Sequence, residues 1–594
     1  MLLNVGPLCR PMKKRALYGL LVLILLLSIW PARPVIAQGM TQDRPDADQN
    51  LAALFLPLVT APFTITVSPP VIRTFTANPA TIAPGGTSTL SWEVIGATHV
   101  GIRPDVGPVS GTSIAVQPAT RTEYTLTASN AAGTATARTT VDLISGGGGG
   151  GDEGAVWLPY RLANGDLLPT YGASIGVDGS GGMHVAFGLL GHYDQAEDGD
   201  GSYAYCAANC AQKENWQFLH LGDSSEVRLA LDLAGKPRLL LAAPGEISGD
   251  YQQVSYRYGV CDTGCTQAAN WRFTTVAEVT DSVAWVGGRE TENNRYFALD
   301  PEGHPAFMYT RFDPEDPYMG YLDYAACAAS DPASCTQPGQ WSITTLAHTN
   351  FPQNPSLDFA GPGQPRAAVQ VSNGIESTLW YTACDQNCTD DESWSWRRLT
   401  ATSYYETMTF SLRLDGQGRP RLAFYSGPYN TDPSPFADDL LYYLWCDEGC
   451  AEGDDPAWQS VAVGLPTLSG HDVALALDSL GRPRLVYSDR DQGLGYSWCN
   501  ENCASTGAVW SHAVAETSAS LSDDYEVLPI RRCTVSTWFT GVRPGVALDA
   551  QGNLRIAYDA QHYWYGTETV GGQVKPCNFK DINVTRFAAV GSPE

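Results

Sequence analysis

The chain has 594 residues and a formal net charge of -27. A surface that acidic repels phosphate backbones and anionic lipid, which excludes nucleic acid and the membrane surface as partners. Only 17% of residues are charged, and Gly 59, Pro 39 and 10% aromatics exclude a helical protein and fit a loop-rich all-β chain with room for two to four domains.

Residues 1–37 read as an export signal: a basic start, an apolar run from Leu17 to Trp30 and a small-residue Val35-x-Ala37 cleavage site. The run is too short for a comfortable membrane span, so cleavage near Ala37 leaves a secreted or cell-surface chain without one. Export leads to an oxidising compartment, where disulfides persist. Of the 15 cysteines, Cys9 leaves with the signal, and the even remainder suits a fully bridged protein. Residues 38–68 read as a spacer with an apolar island, Leu54–Val59.

Residues 69–143 carry short alternating strands of Thr, Val and Ile, with Pro-Gly and Asn turn signals between them. Phe75, Pro79, Gly85, Leu90, Trp92, Val94, Gly96, Ala97, Tyr124, Leu126, Asn130 and Gly133 are placed as in bacterial Ig-like modules, which the segment resembles. The resemblance implies a two-sheet sandwich with Trp92 in its core, Tyr124 near a strand corner, and a spacer or adhesion role without chemistry. Residues 144–154 follow as a linker, flexible through the glycines from Gly146 to Gly151.

Residues 155–594 are a repeat. "ALALDSLGRPRLVY" recurs as "SLRLDGQGRPRLAF", "LALDLAGKPRLLL", "YFALDPEGHPAFMY", "GVALDAQGNLRIAY", "SIGVDGSGGMHVAF" and the weaker "SLDFAGPGQPRAAV". The turn-opening positions are Asp178, Asp232, Asp300, Ala360, Asp415, Asp478 and Asp549. Their spacing suits four-stranded blades. In Asp-x-x-Gly the carboxylate can bond the turn backbone while glycine supplies positive φ. A third strand then runs into Cys-x-x-x-Cys, and a tryptophan opens the fourth.

The cysteines therefore flank a hairpin turn, where facing Cα atoms lie within disulfide range. The expected pairs are Cys206–Cys210, Cys261–Cys265, Cys384–Cys388, Cys446–Cys450 and Cys499–Cys503, with a longer loop at Cys327–Cys335. Cys533 and Cys577 remain and pair with each other. Zinc would need four ligands at one point, and pairs on different blades are too far apart to share an ion. A redox motif would be Cys-x-x-Cys at a helix start.

The expected fold is thus all-β, an Ig-like β-sandwich followed by a seven-bladed β-propeller with disulfide-stapled blade hairpins. The repeat resembles secreted bacterial propellers of the BNR or sialidase-like superfamily, in which Asp-x-x-Gly-x-Pro hairpins recur. It departs from true sialidase Asp-boxes, which read Ser-x-Asp-x-Gly-x-Thr-Trp. Arg238, Arg366, Arg421, Arg484 and Arg555 recur at one turn position and read as structural. Either Val156–Leu162 or "INVTRFAAV" at the far end should complete the seventh blade.

Function sits on variable loops held by a rigid scaffold. Here those are the second-to-third and blade-to-blade connections, which share one face. Trp285, Tyr404, Tyr405, Tyr525 and Trp538 are candidates for carbohydrate stacking. His471 beside Asp472, His192 and His348 are possible acid–base groups. "EDGDG" offers Asp198 and Asp200 as weak calcium ligands without a full EF-hand pattern, and no other cofactor or metal is expected. The layout reads as a non-enzymatic binding or adhesion protein for a carbohydrate or extracellular protein. The alternative is an extracellular polysaccharide-active hydrolase or lyase, which paired carboxylates on the variable face would favour.

Overall fold

The structure, a computed structural model, describes residues 69–591 apart from 79–80, 83–86, 119–121, 144–153, 159–169, 189–199, 225, 250, 283–294, 317–318, 338, 373–375, 404–407, 427–439, 453–456, 466–470, 490–492, 522–532 and 571–572. The export signal, the spacer and nearly all of the glycine linker lie outside those residues.

Two sheets form first, one of three strands and one of five. Strand alternation sends Tyr124, Leu126 and Ala128 inward from Thr122–Asn130. They meet Phe75, Leu90 and Trp92 of the other sheet in one closed core. This is a β-sandwich.

From residue 154 the described residues form seven four-stranded antiparallel sheets. Their innermost strands are Tyr171–Val177, Glu226–Leu231, Phe297–Leu299, Pro352–Gly361, Met408–Leu414, His471–Leu477 and Val535–Leu548. Each innermost strand packs on that of the next sheet, and the first packs on the last. The ring closes into a β-propeller architecture. Both candidate closing segments take part: "INVTRFAAV" belongs to the third strand of the seventh sheet, Gln573–Val590, and Gly154–Trp157 is its fourth, with Val156 opposite Phe587.

The Asp turns explain the repeat. Asp478 Oδ1 accepts the N–H groups of Leu480 and Arg482, at 3.0 and 2.9 Å. Gly481 completes the turn at φ +74°. Oδ2 accepts Arg484 Nη2 at 2.9 Å. The same guanidinium reaches the carbonyl of Cys499 at 2.9 Å and Asn500 Oδ1 at 3.0 Å. Here the repeated arginine thus ties the Asp turn to the neighbouring disulfide loop. Arg421 repeats this with Asp415, Asp447 and the Cys446 carbonyl, and Arg238 with Asp232, Asp262 and Cys261. In the first sheet His184 takes the place of arginine, bonding Asp178 Oδ2 at 3.2 Å.

All seven expected disulfides are present: Cys206–Cys210, Cys261–Cys265, Cys327–Cys335, Cys384–Cys388, Cys446–Cys450, Cys499–Cys503 and Cys533–Cys577. In each four-residue loop the residue before the second cysteine is left-handed: Asn209, Gly264, Asn387, Gly449 and Asn502. That conformation selects glycine or asparagine. The following tryptophan has two tasks. In the first five sheets its indole N–H caps the loop, as Trp216 does on the Cys210 carbonyl at 2.8 Å and Trp271 on Cys265 at 2.8 Å; in the sixth, the Trp510 indole N–H makes no such bond among the described residues. Its ring then packs edge-on against an aromatic on the third strand of the preceding sheet. The pairs run around the ring as Trp216–Phe587, Trp271–Tyr203, Trp341–Tyr258, Trp394–Tyr324, Trp458–Tyr381 and Trp510–Tyr443, with centroids 5.1 to 5.5 Å apart.

Candidate functional site

The innermost strands are uniform where they end, at the Asp turns, and irregular where they begin. Six residues before the turn-opening position, Gly172, Asn354, Asp472 and Arg543 all have left-handed backbones, with φ of +62°, +50°, +52° and +47°. Strand register slips at each of these points. Four bulges therefore ring one mouth of the central channel, on the side of the variable loops. Non-glycine residues in this region cost of order 1–3 kcal/mol each and collect at functional sites.

Three of the bulges are bonded together. The Arg543 main-chain N–H donates to Asp472 Oδ2 at 3.3 Å. Arg543 Nε donates to Asp559 Oδ2 at 3.0 Å, and the same oxygen accepts the Gly172 N–H at 3.0 Å. Asp559 is fully buried, whereas Asp472 is half-buried. Burial raises the Asp559 carboxyl above its ordinary range, against the opposing pull of Arg543. The structure thus brings two carboxyl groups in different environments onto one arginine.

Beside the mouth lies a second buried group. Tyr296 donates its hydroxyl to Glu226 Oε2 at 2.6 Å. Arg228 sits 5.0 Å from the Tyr296 ring centroid and donates to the Gly172 carbonyl at 2.9 Å. Burial and the Glu226 carboxylate push the Tyr296 hydroxyl well above its ordinary range, so it stays a donor. These contacts bind the first three sheets together. The channel itself is a cavity of about 480 Å³, whose polar lining includes Ser174, Arg228, Arg295, Asp358, Ser411 and Arg413.

On the same face, His348 Nε2 lies 2.8 Å from Asp313 Oδ2, and its ring stacks on Tyr321 with centroids 4.2 Å apart. The His348 side chain is 44% exposed. The main-chain N–H of Glu315, together with His348 and Tyr321, holds the Asp313 carboxyl below its ordinary range.

Of the residues singled out in the sequence, Trp285, Tyr404, Tyr405, Tyr525, His192 and Asp198 lie outside the described residues. His471 opens the innermost strand of the sixth sheet, and Asp200 opens Asp200–Cys206 opposite Asp223; neither side chain is described. Trp538, read as an exposed stacking residue, is 4% exposed and packs on Trp157 and His562, with centroids at 5.1 and 4.9 Å. Its strand, the first of the seventh sheet, sets it opposite His562. Among the described residues no group of three or more potential ligands gathers as for a metal ion, and no helix is long and apolar enough to cross a membrane.

No protein-family model matches the chain, and no curated protein sequence matches it. Among solved structures, it is similar to a Trypanosoma rangeli sialidase at 11% identity and a TM-score of 0.31, over 60% of this chain and 56% of that one. The chain therefore spans little more than half the length of that sialidase. It is similar to a Penicillium chrysogenum α-L-arabinanase at 12% identity and 0.32, over 57% and 93%. It is also similar to a Fusarium graminearum α-L-arabinofuranosidase at 11% and 0.35, over 74% and 98%. All three are enzymes that cleave glycosides. These neighbours stand against the expectation of a non-enzymatic binding protein, which is corrected here and not carried further.

Proposed function

We propose that this chain is an extracellular carbohydrate-active enzyme, a glycoside hydrolase or lyase, working at the bulged mouth of the channel. The observation that carries the reading is the Asp472–Arg543–Asp559 arrangement. A half-buried carboxylate pinned by a main-chain N–H is a poised proton acceptor. Hydrolysis and β-elimination of a glycan both need such a group. Asp472 takes that role, and Asp559, buried behind Arg543, is a positioning residue. The same reading makes the ring a seven-bladed propeller, the sandwich an Ig-like spacer, and the chain a secreted bacterial protein whose disulfides suit an oxidising compartment. Trp285, Tyr404, Tyr405 and Tyr525 are the stacking residues of this proposal. A calcium ion at Asp198 and Asp200 belongs to the same proposal.

The test is a panel of polysaccharides assayed for released products. Asp472→Asn should lower turnover by about 100-fold or more while leaving the melting temperature unchanged. No product from any glycan, or wild-type turnover by the variant, would overturn the reading.

A further inference from the structure

Two residues before the turn, five of the seven innermost strands carry a residue with little or no side chain: Gly176, Ala230, Ala298, Ala476 and Ala547. The other two carry Asp358 and Arg413, on neighbouring sheets, and both line the channel. Arg295, from the sheet before them, lines it as well.

The charges in this cluster do not balance. Asp358 Oδ1 accepts the Phe359 N–H at 3.0 Å, and Oδ2 accepts the Leu414 N–H at 3.2 Å. Arg295 Nη1 lies 3.8 Å from Oδ2. The carboxylate is thus matched by two main-chain donors and one arginine. Arg413, in contrast, makes one side-chain hydrogen bond, from Nη1 to the Leu412 carbonyl at 3.1 Å, and no ion pair among the described residues. Burial and the nearby Arg295 work against its charge while Asp358 supports it, and a guanidinium stays protonated in proteins. The Arg413 side chain is half-buried in the channel wall, where two arginines face one carboxylate, and a second anion balances that excess positive charge. The guanidinium fork is shaped for the paired oxygens of an oxyanion.

We propose that the channel holds a small oxyanion of the phosphate or sulfate type, bound by Arg413 with Arg295. This site is separate from the Asp472 mouth and does not depend on the enzymatic reading. In a chain of net charge -27, it makes the axis a local anion trap.

The experiment is calorimetric titration of inorganic phosphate, then sulfate, into the anion-depleted full chain at constant ionic strength. The expected result is saturable one-site binding, weakened about tenfold or more by Arg413→Met, since bonds to charged groups contribute on that scale. Arg413→Lys, which keeps the charge and loses the fork, should weaken binding less and guards against a misfolded Met variant. Asp472→Asn should leave the titration unchanged, which separates this site from the proposed catalytic one. No saturable binding, equal binding by Arg413→Met, or chloride binding as tightly as phosphate would overturn the proposal.

Discussion

Replacing one repeated arginine in two different sheets should give two different losses. Arg484 is 1% exposed and pairs with Asp478, whose side chain is 7% exposed. Arg366 holds the same position in the fourth sheet, but the turn there opens with Ala360, and its carboxylate partner is Asp385, 71% exposed. Both arginines bond two carbonyls, Pro483 and Cys499 in one case, Pro365 and Cys384 in the other. Methionine removes those bonds equally. What differs is the carboxylate left behind. Orphaning a buried charge costs about 3–5 kcal/mol, and losing an exposed pair costs about 0–1 kcal/mol. Arg482 Nε and two main-chain donors still hold Asp478, which favours the lower end. Arg484→Met should therefore cost about 2–3 kcal/mol more than Arg366→Met. Urea unfolding followed by tryptophan fluorescence measures the difference. Adding Asp478→Asn to Arg484→Met should recover at least about 1 kcal/mol. Equal losses, or no recovery, would show that the turn carboxylate is not what the arginine serves.

The disulfides should rank by loop length. Removing Cys446–Cys450, with a separation of 4, should cost about 2 kcal/mol, and removing Cys533–Cys577, with a separation of 44, about 4 kcal/mol, both by chain entropy; alanine pairs and denaturant midpoints check the order. Acid should act through the turns. Burial alone would raise Asp415 and Asp478, but bonds from Arg419, Arg482 and main-chain N–H groups outweigh it and hold both below the ordinary carboxylate range. A depressed folded value gives stability that is complete above the unfolded value near 4 and lost as pH falls through the folded values. Melting temperature measured from pH 6 to pH 2 should fall mainly below about pH 4, and Asp478→Asn should flatten that limb.

What the sequence made legible was mostly local. Asp-x-x-Gly turns and Cys-x-x-x-Cys loops close within a few residues, so spacing alone predicts their bonds. The asparagine or glycine before each second cysteine was an equally local signal for a left-handed residue and could have been read. The tryptophans were recognised as strand starts, but their partners, such as Tyr203 for Trp271, lie on the neighbouring sheet and leave no mark at fixed spacing. The site divides the same way. Asp472 and His348 stood out beside variable loops. Asp559 sits inside an ordinary strand whose pairing with Val535–Leu548 brings it to Arg543, and only the ring brings Gly172 to the same carboxylate. Asp358 and Arg413 were visible in principle, as charges in a column otherwise made of glycine and alanine.

The placement of the bulges follows from the same architecture. Each innermost strand runs into the tight turn at its end, and in the second, fifth and sixth sheets the Asp turn, the arginine and the disulfide loop fix the backbone there together. Where the clamp is complete, register is set from that end and an added residue is absorbed at the other; the fourth sheet, whose turn opens with Ala360, also slips beside the turn, between Phe359 and Gly361. The slips at Gly172, Asn354, Asp472 and Arg543 fall at the other end, six residues before the turn-opening position. A left-handed arginine or aspartate is not the conformation its side chain prefers. Arg543 is held there by bonds to Asp472 and Asp559 on two different strands. The rigid face thus lets the opposite face hold strained, polar backbone at the mouth of the channel, which is where a propeller that acts on a ligand has to depart from its own repeat.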